Sequence, residues 1–281
     1  MEGRTVLVTG GTAGIGRQAA ISLAHQGARV VIVGRNPEKT ERVREEIRGI
    51  TGSRAVESLL ADLSKLGDVR ALAEAFAARH ERLDVLLNNA GAVNMSREVT
   101  ADGLERTFAT NHLAYFLLAN LLLPLLQKTP GARVVNVASE AHRIGRVRFD
   151  DLQSARRYEP WTVYGASKLM NILFTRELAR RLGGAGPTVN CLHPGFVASE
   201  FLSKGGVWEL IKPIGYLFAV SEVQGADTSI YLAASPEVAG RTGGYYAKRR
   251  EVTPSRAARD ASVAARLWEE SARLAGLSST I

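Results

Sequence analysis

The sequence predicts a single α/β domain over residues 1–281, in which helices cover both faces of a doubly wound parallel sheet. Strand-like apolar runs alternate along the chain with segments of helical period, and the loops between them are short. Such βα units favour parallel strands with right-handed crossovers. Runs such as VVNVA at 134–138 are apolar almost throughout, as expected for strands that helices bury on both faces.

The first half of the chain predicts four strands, each followed by a helix. Helical spacing of apolar side chains begins at Gly14, at Pro37 and at Lys65. Proline suits the first turn of a helix, and the helix that starts at Pro37 runs to about Gly49. The fourth helix is long, and Pro124 interrupts it because proline cannot donate the helical hydrogen bond. The predicted strands are 5–9, 28–33, 57–60 and 83–87, and the last two helices are 65–80 and 104–127.

The second half continues the alternation and then loosens after Pro194. The expected strands are 133–138, 188–192 and a short one near 243–246, with helices at 164–182, 221–234 and 257–274. The segment 196–220 carries large apolar side chains among glycines and a proline. These side chains favour a mobile lid with an apolar inner face, with ordinary core or dimer-contact residues as the alternative.

Composition narrows the class of protein. The only cysteine, Cys191, excludes an internal disulfide, and its apolar neighbours predict a buried strand position in a reducing compartment. No basic-then-apolar leader and no run of eighteen apolar residues occurs, so we expect a cytoplasmic protein with no membrane anchor. Nothing in the spacing of histidines and cysteine resembles a metal site.

The charge of +8 favours anionic partners, and either a pyrophosphate-bearing cofactor or a nucleic acid would qualify. The arginines are spread through helices and loops, and no nucleic-acid-binding motif accompanies them. The single tight basic run, Lys248 to Arg250, is interpreted as a solvated loop. We therefore expect no nucleic-acid partner.

A glycine-rich loop lies directly between the first strand and the first helix. In TGGTAGIG, from Thr9 to Gly16, Gly10 permits a tight turn, Gly14 lets the backbone approach phosphates and Gly16 allows close packing. The helix N-terminus that follows attracts negative charge, so this loop predicts the pyrophosphate site of a dinucleotide. A plain tight turn is the alternative.

Three motifs together resemble the short-chain dehydrogenase/reductase family. They are the Gly-x-x-x-Gly-x-Gly spacing of the loop, NNAG at 88–91 and the Tyr-x-x-x-Lys pair in YGASK. The resemblance implies a Rossmann fold and a nicotinamide cofactor, with Asp62 on the adenine ring and HPG at 193–195 on the carboxamide. The cofactor-binding residues it implies are Gly10, Thr12, Gly14, Ile15, Gly16, Asp62, Leu63, Asn88, Ala90, Gly91, Tyr164, Lys168, Pro194, Gly195, Val197 and Ser199.

The end of the second strand bears on the choice between NADP(H) and NAD(H). An acidic residue there would hydrogen-bond the ribose 2′-hydroxyl of NAD, but this chain has Gly34 followed by Arg35. A guanidinium matches the geometry and charge of a phosphate, so Arg35 favours the 2′-phosphate of NADP, with Arg17 as a second contributor. An arginine that merely ends a strand in water is the alternative.

Tyr164 and Lys168 stand at i and i+4, so both side chains project from one face of the predicted helix. The resemblance assigns Tyr164 as the proton donor and acceptor, Lys168 as the partner that lowers its pKa, Ser139 as a ligand of the substrate oxygen, and Asn111 as the residue that bends the long helix. A cation about 4 Å away would favour the phenolate by roughly 4 kcal/mol at an effective dielectric near 20. The alternatives are surface-helix packing for the Tyr-Lys pair, a cap for Ser139 and a surface position for Asn111.

A longer insertion than most family members have lies between Ser139 and Tyr164, at 140–163, and resembles the retinol dehydrogenase and protochlorophyllide reductase branch. We expect no counterpart here of the N-terminal membrane anchor that the vertebrate retinol enzymes carry. We therefore expect an aliphatic or polycyclic carbonyl or alcohol as substrate, and a homo-oligomer, as is common in the family. A silent NADP(H)-sensing regulator is the main alternative, which the intact Ser139, Tyr164 and Lys168 disfavour.

Overall fold

The computed structural model describes residues 1–184, 186–195 and 221–278. Its described strands form one eight-stranded sheet in the order β3-β2-β1-β4-β5-β6-β7-β8, parallel except for the last pair. The chain passes from β1 outwards to β3 and then crosses back to β4, which places a topological switch point between β1 and β4. The strands are β1 (Thr5–Thr9), β2 (Arg29–Gly34), β3 (Val56–Leu60), β4 (Val85–Asn88), β5 (Arg133–Val137), β6 (Thr188–His193), β7 (Tyr245–Ala247) and β8 (Arg250–Glu251).

Helices cover both faces of the sheet, as predicted. Along β1, Leu7 packs into the core on one face, while Val6 and Val8 pack into the core on the other. The helices are α1 (Gly14–His25), α2 (Pro37–Thr51), α3 (Leu66–Ala77), α4 (Arg106–Phe108), α5 (Ala114–Leu121), α6 (Leu123–Lys128), α7 (Pro160–Leu182), α8 (Glu222–Ala234) and α9 (Ala261–Ala275). The predicted fold class is confirmed, and Cys191 is fully buried in β6, as expected.

The predicted helix 104–127, with its late interruption at Pro124, is divided into more pieces than we expected. It begins at Arg106, where the Glu105 carboxylate caps the N-terminus, and passes through a π-helical turn at Ala109–Leu113 before α5. The late interruption is confirmed but falls at Leu122, two residues before Pro124, which occupies the first turn of α6. Proline is tolerated in a first turn because the amide there has no helical acceptor.

The basic run at 248–250 is exposed, as expected of a solvated loop, but it forms a turn and the start of a strand that we did not predict. Lys248 and Arg249 both have positive φ, +50° and +59°, and form a two-residue hairpin turn between β7 and β8. The antiparallel strand β8 was therefore missed. Hairpin turns of this kind are normally marked by Asn-Gly or Gly-Gly, and Lys-Arg gives no such signal.

Capping residues explain two further differences in helix bounds. The helix predicted from Tyr164 begins at Pro160, because the Glu159 side chain accepts bonds from the first free amides. The helix predicted from Ala257 begins at Ala261, because Asp260 caps it after a short 3₁₀ turn. The predicted lid at 196–220 lies outside the described residues. In the portions of the chain that the structure describes, no helix is long and apolar enough to cross a membrane.

Candidate active site

The glycine-rich loop after β1 packs directly on the loop after β4. Gly10 has φ +64°, and a Cβ there would lie 2.9 Å from the Ala90 Cα. A Cβ on Gly16 would lie 2.4 Å from the Gly10 carbonyl oxygen, so α1 can begin this close to the turn only with glycine. Gly14, at φ +53°, is the first residue of α1. The loop therefore exposes backbone that no side chain covers, so a phosphate group can approach its N–H groups closely.

Thr9 and Tyr115 hold the NNAG segment, and sequence reasoning missed both. The Thr9 hydroxyl accepts bonds from the Asn89 and Ala90 amides at 2.9 and 3.1 Å, and the Tyr115 hydroxyl donates to the Ala90 carbonyl at 2.8 Å. Asn88 is fully buried and donates to the Asn136 side chain on β5 at 2.9 Å. Threonine at a strand end and tyrosine in an apolar helix carry no distinct sequence signal.

Asp62 and Leu63 lie just past the carboxyl end of β3. The Asp62 carboxylate accepts bonds from the Ser64 amide and hydroxyl at 3.1 and 2.8 Å. Partial burial works against ionisation, but these bonds and the charges of Lys65 and Arg106 lower the pKa of Asp62 overall. The carboxylate is thus ionised and fixed at the sheet edge, while the Leu63 side chain is buried behind it.

The two arginines proposed for a 2′-phosphate differ in their surroundings. Arg35 is exposed at the end of β2, beside Gly34, whose added Cβ would lie 2.6 Å from Thr12. Arg17, in contrast, is engaged by the Glu46 carboxylate of α2 through its Nε, at 3.1 Å, and through Nη2. An ion pair between α1 and α2 therefore already uses two of the three guanidinium nitrogens of Arg17, and its contribution to a 2′-phosphate site stays a prediction.

Asn111 lies in the π-helical turn and is fully buried. Its amide group donates to the Ala92 carbonyl at 2.9 Å and to the Ser167 hydroxyl of α7 at 3.0 Å, and its oxygen accepts from the Ala92 amide at 2.9 Å. The predicted irregularity of this helix is confirmed at this position. The surface alternative for Asn111 is wrong.

Ser139, Tyr164 and Lys168 meet between β5 and α7. The Ser139 hydroxyl lies close enough to the Tyr164 phenol to favour its ionised form, and the Lys168 Nζ donates to the Val137 carbonyl at 3.1 Å. The same Nζ lies 5.5 Å from the centre of the Tyr164 ring. Ser139 also caps the 3₁₀ turn Glu140–Arg143, so its predicted alternative is present as well. The structure therefore brings the predicted residues together at the carboxyl ends of the strands.

Burial dominates the protonation of the Tyr-Lys pair. It raises the pKa of Tyr164 to about 12, against the opposing effect of the nearby Ser139 side chain. It lowers the pKa of Lys168 to about 7, since no described carboxylate pairs with the ammonium. The expected lowering of the Tyr164 pKa by Lys168 is therefore not seen in this structure. The phenol is protonated at neutral pH and can act as a proton donor.

The HPG segment follows β6 at the same edge. The Glu140 amide donates to the His193 Nδ1 at 3.3 Å, which ties the Ser139 loop to this segment. Gly195 has φ +93°, a conformation that favours glycine after Pro194. Val197 and Ser199 lie outside the described residues. In the described parts of the chain, no group of three or more potential metal-ligating side chains occurs.

Comparison with known proteins decides the family. The short chain dehydrogenase family model matches residues 4–209. The chain belongs to the short-chain dehydrogenase family. Retinol dehydrogenases 13 and 14 of Homo sapiens are 40% and 42% identical to it, over 99% of this chain and 86% and 88% of theirs.

Solved structures agree with this assignment. An uncharacterized protein of Mycobacterium paratuberculosis superposes with a TM-score of 0.81 at 34% identity, covering 100% of this chain and 96% of its own. The RhlG/NADP active-site complex of Pseudomonas aeruginosa gives 0.70 at 29% identity, covering 87% and 94%. This short-chain dehydrogenase thus resembles oxidoreductases over nearly its whole length.

Proposed function

We propose that this short-chain dehydrogenase interconverts a carbonyl and an alcohol on a lipophilic small molecule, using NADP(H), with Tyr164 as acid and base. The observation that carries the proposal is the meeting of Tyr164, Ser139 and Lys168 beside the glycine-rich loop. A proton donor, a hydroxyl for the substrate oxygen and a dinucleotide cradle then lie at one edge of the sheet, which is what carbonyl reduction requires.

Each side chain takes one part in the proposed reaction. The coenzyme, when bound, supplies or accepts the hydride. Tyr164 donates its proton to the substrate oxygen in reduction and removes it in oxidation, while Ser139 hydrogen-bonds the same oxygen as charge develops there. Lys168 is expected to hold the nicotinamide ribose. Asn111 links the Ala92 backbone to the Ser167 hydroxyl, which lies on α7 directly before Lys168.

Three observations support NADP(H) over NAD(H). The end of β2 has Gly34 where NAD enzymes carry a carboxylate, and Arg35 beside it is exposed, with no described hydrogen-bond partner for its side chain. Related structures are the NADP complex of Pseudomonas aeruginosa and an Escherichia coli short chain dehydrogenase complexed with NADPH, at 29% and 27% identity. The bidentate fork of Arg35 suits a 2′-phosphate.

A lipophilic substrate is supported by the relatives and by an aromatic neighbour of the proposed acid. Several of the relatives are named retinol dehydrogenases. Trp161 stands edge-on to Tyr164, with ring centres 6.3 Å apart and planes at 87°. Trp161 is half-buried, so an apolar surface adjoins the point of proton transfer.

The experiment is a turnover assay of wild type and Tyr164→Phe with NADPH and a panel of lipophilic aldehydes and ketones. We expect wild-type turnover that falls by at least ~100-fold in the variant, because removal of a positioned proton donor costs this much. Coenzyme affinity, measured by NADPH fluorescence, should change little. Parallel assays with NADH should give the lower kcat/KM.

Tyr231→Phe is the matched control, because Tyr231 lies on α8 and bonds Glu237 far from the proposed site. It should keep full activity. Coenzyme binding without turnover of any panel member in either direction would favour the sensing alternative, and a higher kcat/KM with NADH would refute the role of Arg35.

A further inference from the structure

A cavity opens at the amino ends of the strands, on the side of the sheet away from the proposed active site. It has a volume of about 290 Å³ and lies at the amino ends of the central strands, where Arg4 precedes β1, Arg133 begins β5 and Thr188 begins β6. The proposed active site lies at the carboxyl ends of the same strands, which are five or six residues long. At about 3.3 Å per residue, the two sites are separated by roughly 16 Å or more of sheet.

Arg133 is a buried charge without an acidic partner. Its side chain is 6% exposed, and its Nη1 donates to the Leu232 and Ser235 carbonyls at 2.9 and 2.8 Å, near the C-terminal end of α8. These bonds use one of the three guanidinium nitrogens. No ion pair joins Arg133 to a carboxylate within the described ranges, although a buried charge normally requires one.

Arg4 adds a second positive charge to the same cavity. Arg4 and Arg133 both line the cavity, and burial, followed by the charge of Arg4, lowers the pKa of Arg133. The described lining of the cavity contains no aspartate or glutamate. Asp84, the buried acid at this edge, is held by the Thr5 amide at 2.8 Å and by Arg82.

We propose that this cavity binds a small oxyanion, the phosphate or carboxylate group of a small metabolite, between Arg4 and Arg133. Guanidinium groups match such anions with paired N–H donors, and an anion would relieve the repulsion between the two arginines. Gly131 and Gly240 contribute wall without side chains, and the Thr188 hydroxyl lines the same space. The volume is at the lower end of ligand pockets, so it suits a compact anion.

The test measures the unfolding midpoint of NADP⁺-saturated protein against inorganic phosphate, with sodium chloride keeping the ionic strength constant. Saturation with coenzyme keeps phosphate out of the glycine-rich loop. Because a ligand that binds only the folded state stabilises it, we expect the midpoint to rise by roughly 2–5 °C and then level off. Acetate, in a parallel titration, distinguishes a carboxylate site from a phosphate site.

Arg4→Gln is the deciding variant, and it should lose most of the rise. Arg29→Gln is the matched control, because Arg29 begins β2 at the same edge but pairs with Glu57 at 2.9 Å and does not line the cavity. Arg133 is left intact because it also caps α8. A rise in Arg4→Gln equal to that of wild type, or no rise with either anion in wild type, overturns the proposal. The result does not depend on whether the protein reduces carbonyls.

Discussion

At Gly91 the space that a side chain would need is taken by the proposed catalytic groups. A Cβ there would lie 3.2 Å from the Lys168 Nζ and 3.4 Å from the Asn111 Oδ1. The contact with Lys168 is shorter than ordinary packing distances, and the contact with Asn111 is at their lower limit. Asn111 is fixed by three hydrogen bonds. The ammonium group would therefore have to move.

We expect Gly91→Ala to lower kcat/KM by about 10-fold or more, because misplacing a positioned group by a fraction of an ångström weakens catalysis. The measurement is steady-state kinetics with NADPH. Gly49→Ala is the control, since Gly49 lies exposed in α2 with no atom within 4 Å of an added Cβ. It should keep its activity and gain up to about 1 kcal/mol in stability. Unchanged kinetics in Gly91→Ala would argue against the role of Lys168.

The ionisation of Lys168 also makes the stability of the folded protein depend on pH. Burial lowers the pKa of Lys168 to about 7 in the folded protein, against 10.5 for the free side chain. Between these two values the unfolded chain binds more protons than the folded one, so this group makes the protein more stable as the pH rises. The cost of burying its charge is fully present below pH 7 and disappears above 10.5.

Lys168→Met should therefore lose activity by roughly 100-fold or more while raising the unfolding midpoint at pH 6.5. The gain over wild type should shrink as the pH is raised from 6.5 to 9.5. Scanning calorimetry of both proteins at the two pH values measures this difference. A variant that is less stable than wild type at pH 6.5 would mean that the buried ammonium is better compensated than its contacts indicate.

The hairpin between β7 and β8 holds two residues in a conformation that glycine adopts more readily. Lys248 and Arg249 have φ +50° and +59°, and the Arg249 guanidinium pairs with Asp227 on α8, with one bond at 2.7 Å. This ion pair gives a reason to keep Arg249. Lys248 is exposed, and the structure gives it no comparable partner among the described residues.

We expect Lys248→Gly to raise the free energy of unfolding by about 1 kcal/mol, because glycine removes the steric cost of positive φ. Lys248→Ala removes the same charge but keeps the Cβ, so it should give no gain. Urea unfolding midpoints of the three proteins decide between conformational strain and charge. Equal gains in both variants would assign the effect to charge.

Elements marked by glycine or proline could be predicted from the sequence, and elements defined by distant contacts could not. The first strand and α1 follow from TGGTAGIG, and Pro37 marks the first turn of α2. The π-helical turn at Ala109–Leu113 has an ordinary helical pattern, and only the family resemblance indicated a bend at Asn111. Its distinguishing contacts, from Asn111 to Ala92 and Ser167, lie 19 and 56 residues away along the chain.

At the scale of the whole molecule, the site was predictable because parallel strands end at one edge. Residues that follow β1, β4, β5 and β6 meet there whatever their separation in sequence. The supporting contacts were not predictable. Thr9 holds Asn89 from 80 residues away, and Glu140 reaches His193 across 53, and these pairings exist only once the sheet order is known.

The C-terminal helix α9 packs against α7, the helix that carries Tyr164, and contributes side chains to the core. Trp268, which is 2% exposed, packs edge-on to Phe116 at 4.8 Å and stacks with Phe174 at 6.0 Å between ring centres. The Arg181 guanidinium covers the same indole at 4.5 Å. Trp268 thus joins α5, α7 and α9 through side chains that have no proposed part in catalysis.

Trp268→Ala should therefore destabilise the molecule by about 3–5 kcal/mol, the usual cost of deleting a large buried aromatic side chain. The unfolding midpoint should fall by roughly 6–15 °C, with kcat at 20 °C nearly unchanged in the fraction that remains folded. Trp268→Phe, which keeps an aromatic ring between Phe116 and Phe174, should lose less than half as much stability. Calorimetry and kinetics on the same samples separate the two effects. A fall in kcat with an unchanged unfolding midpoint would contradict this prediction. It would mean that α9 affects catalysis, by acting on the geometry of Tyr164 through α7, and not the stability of the fold.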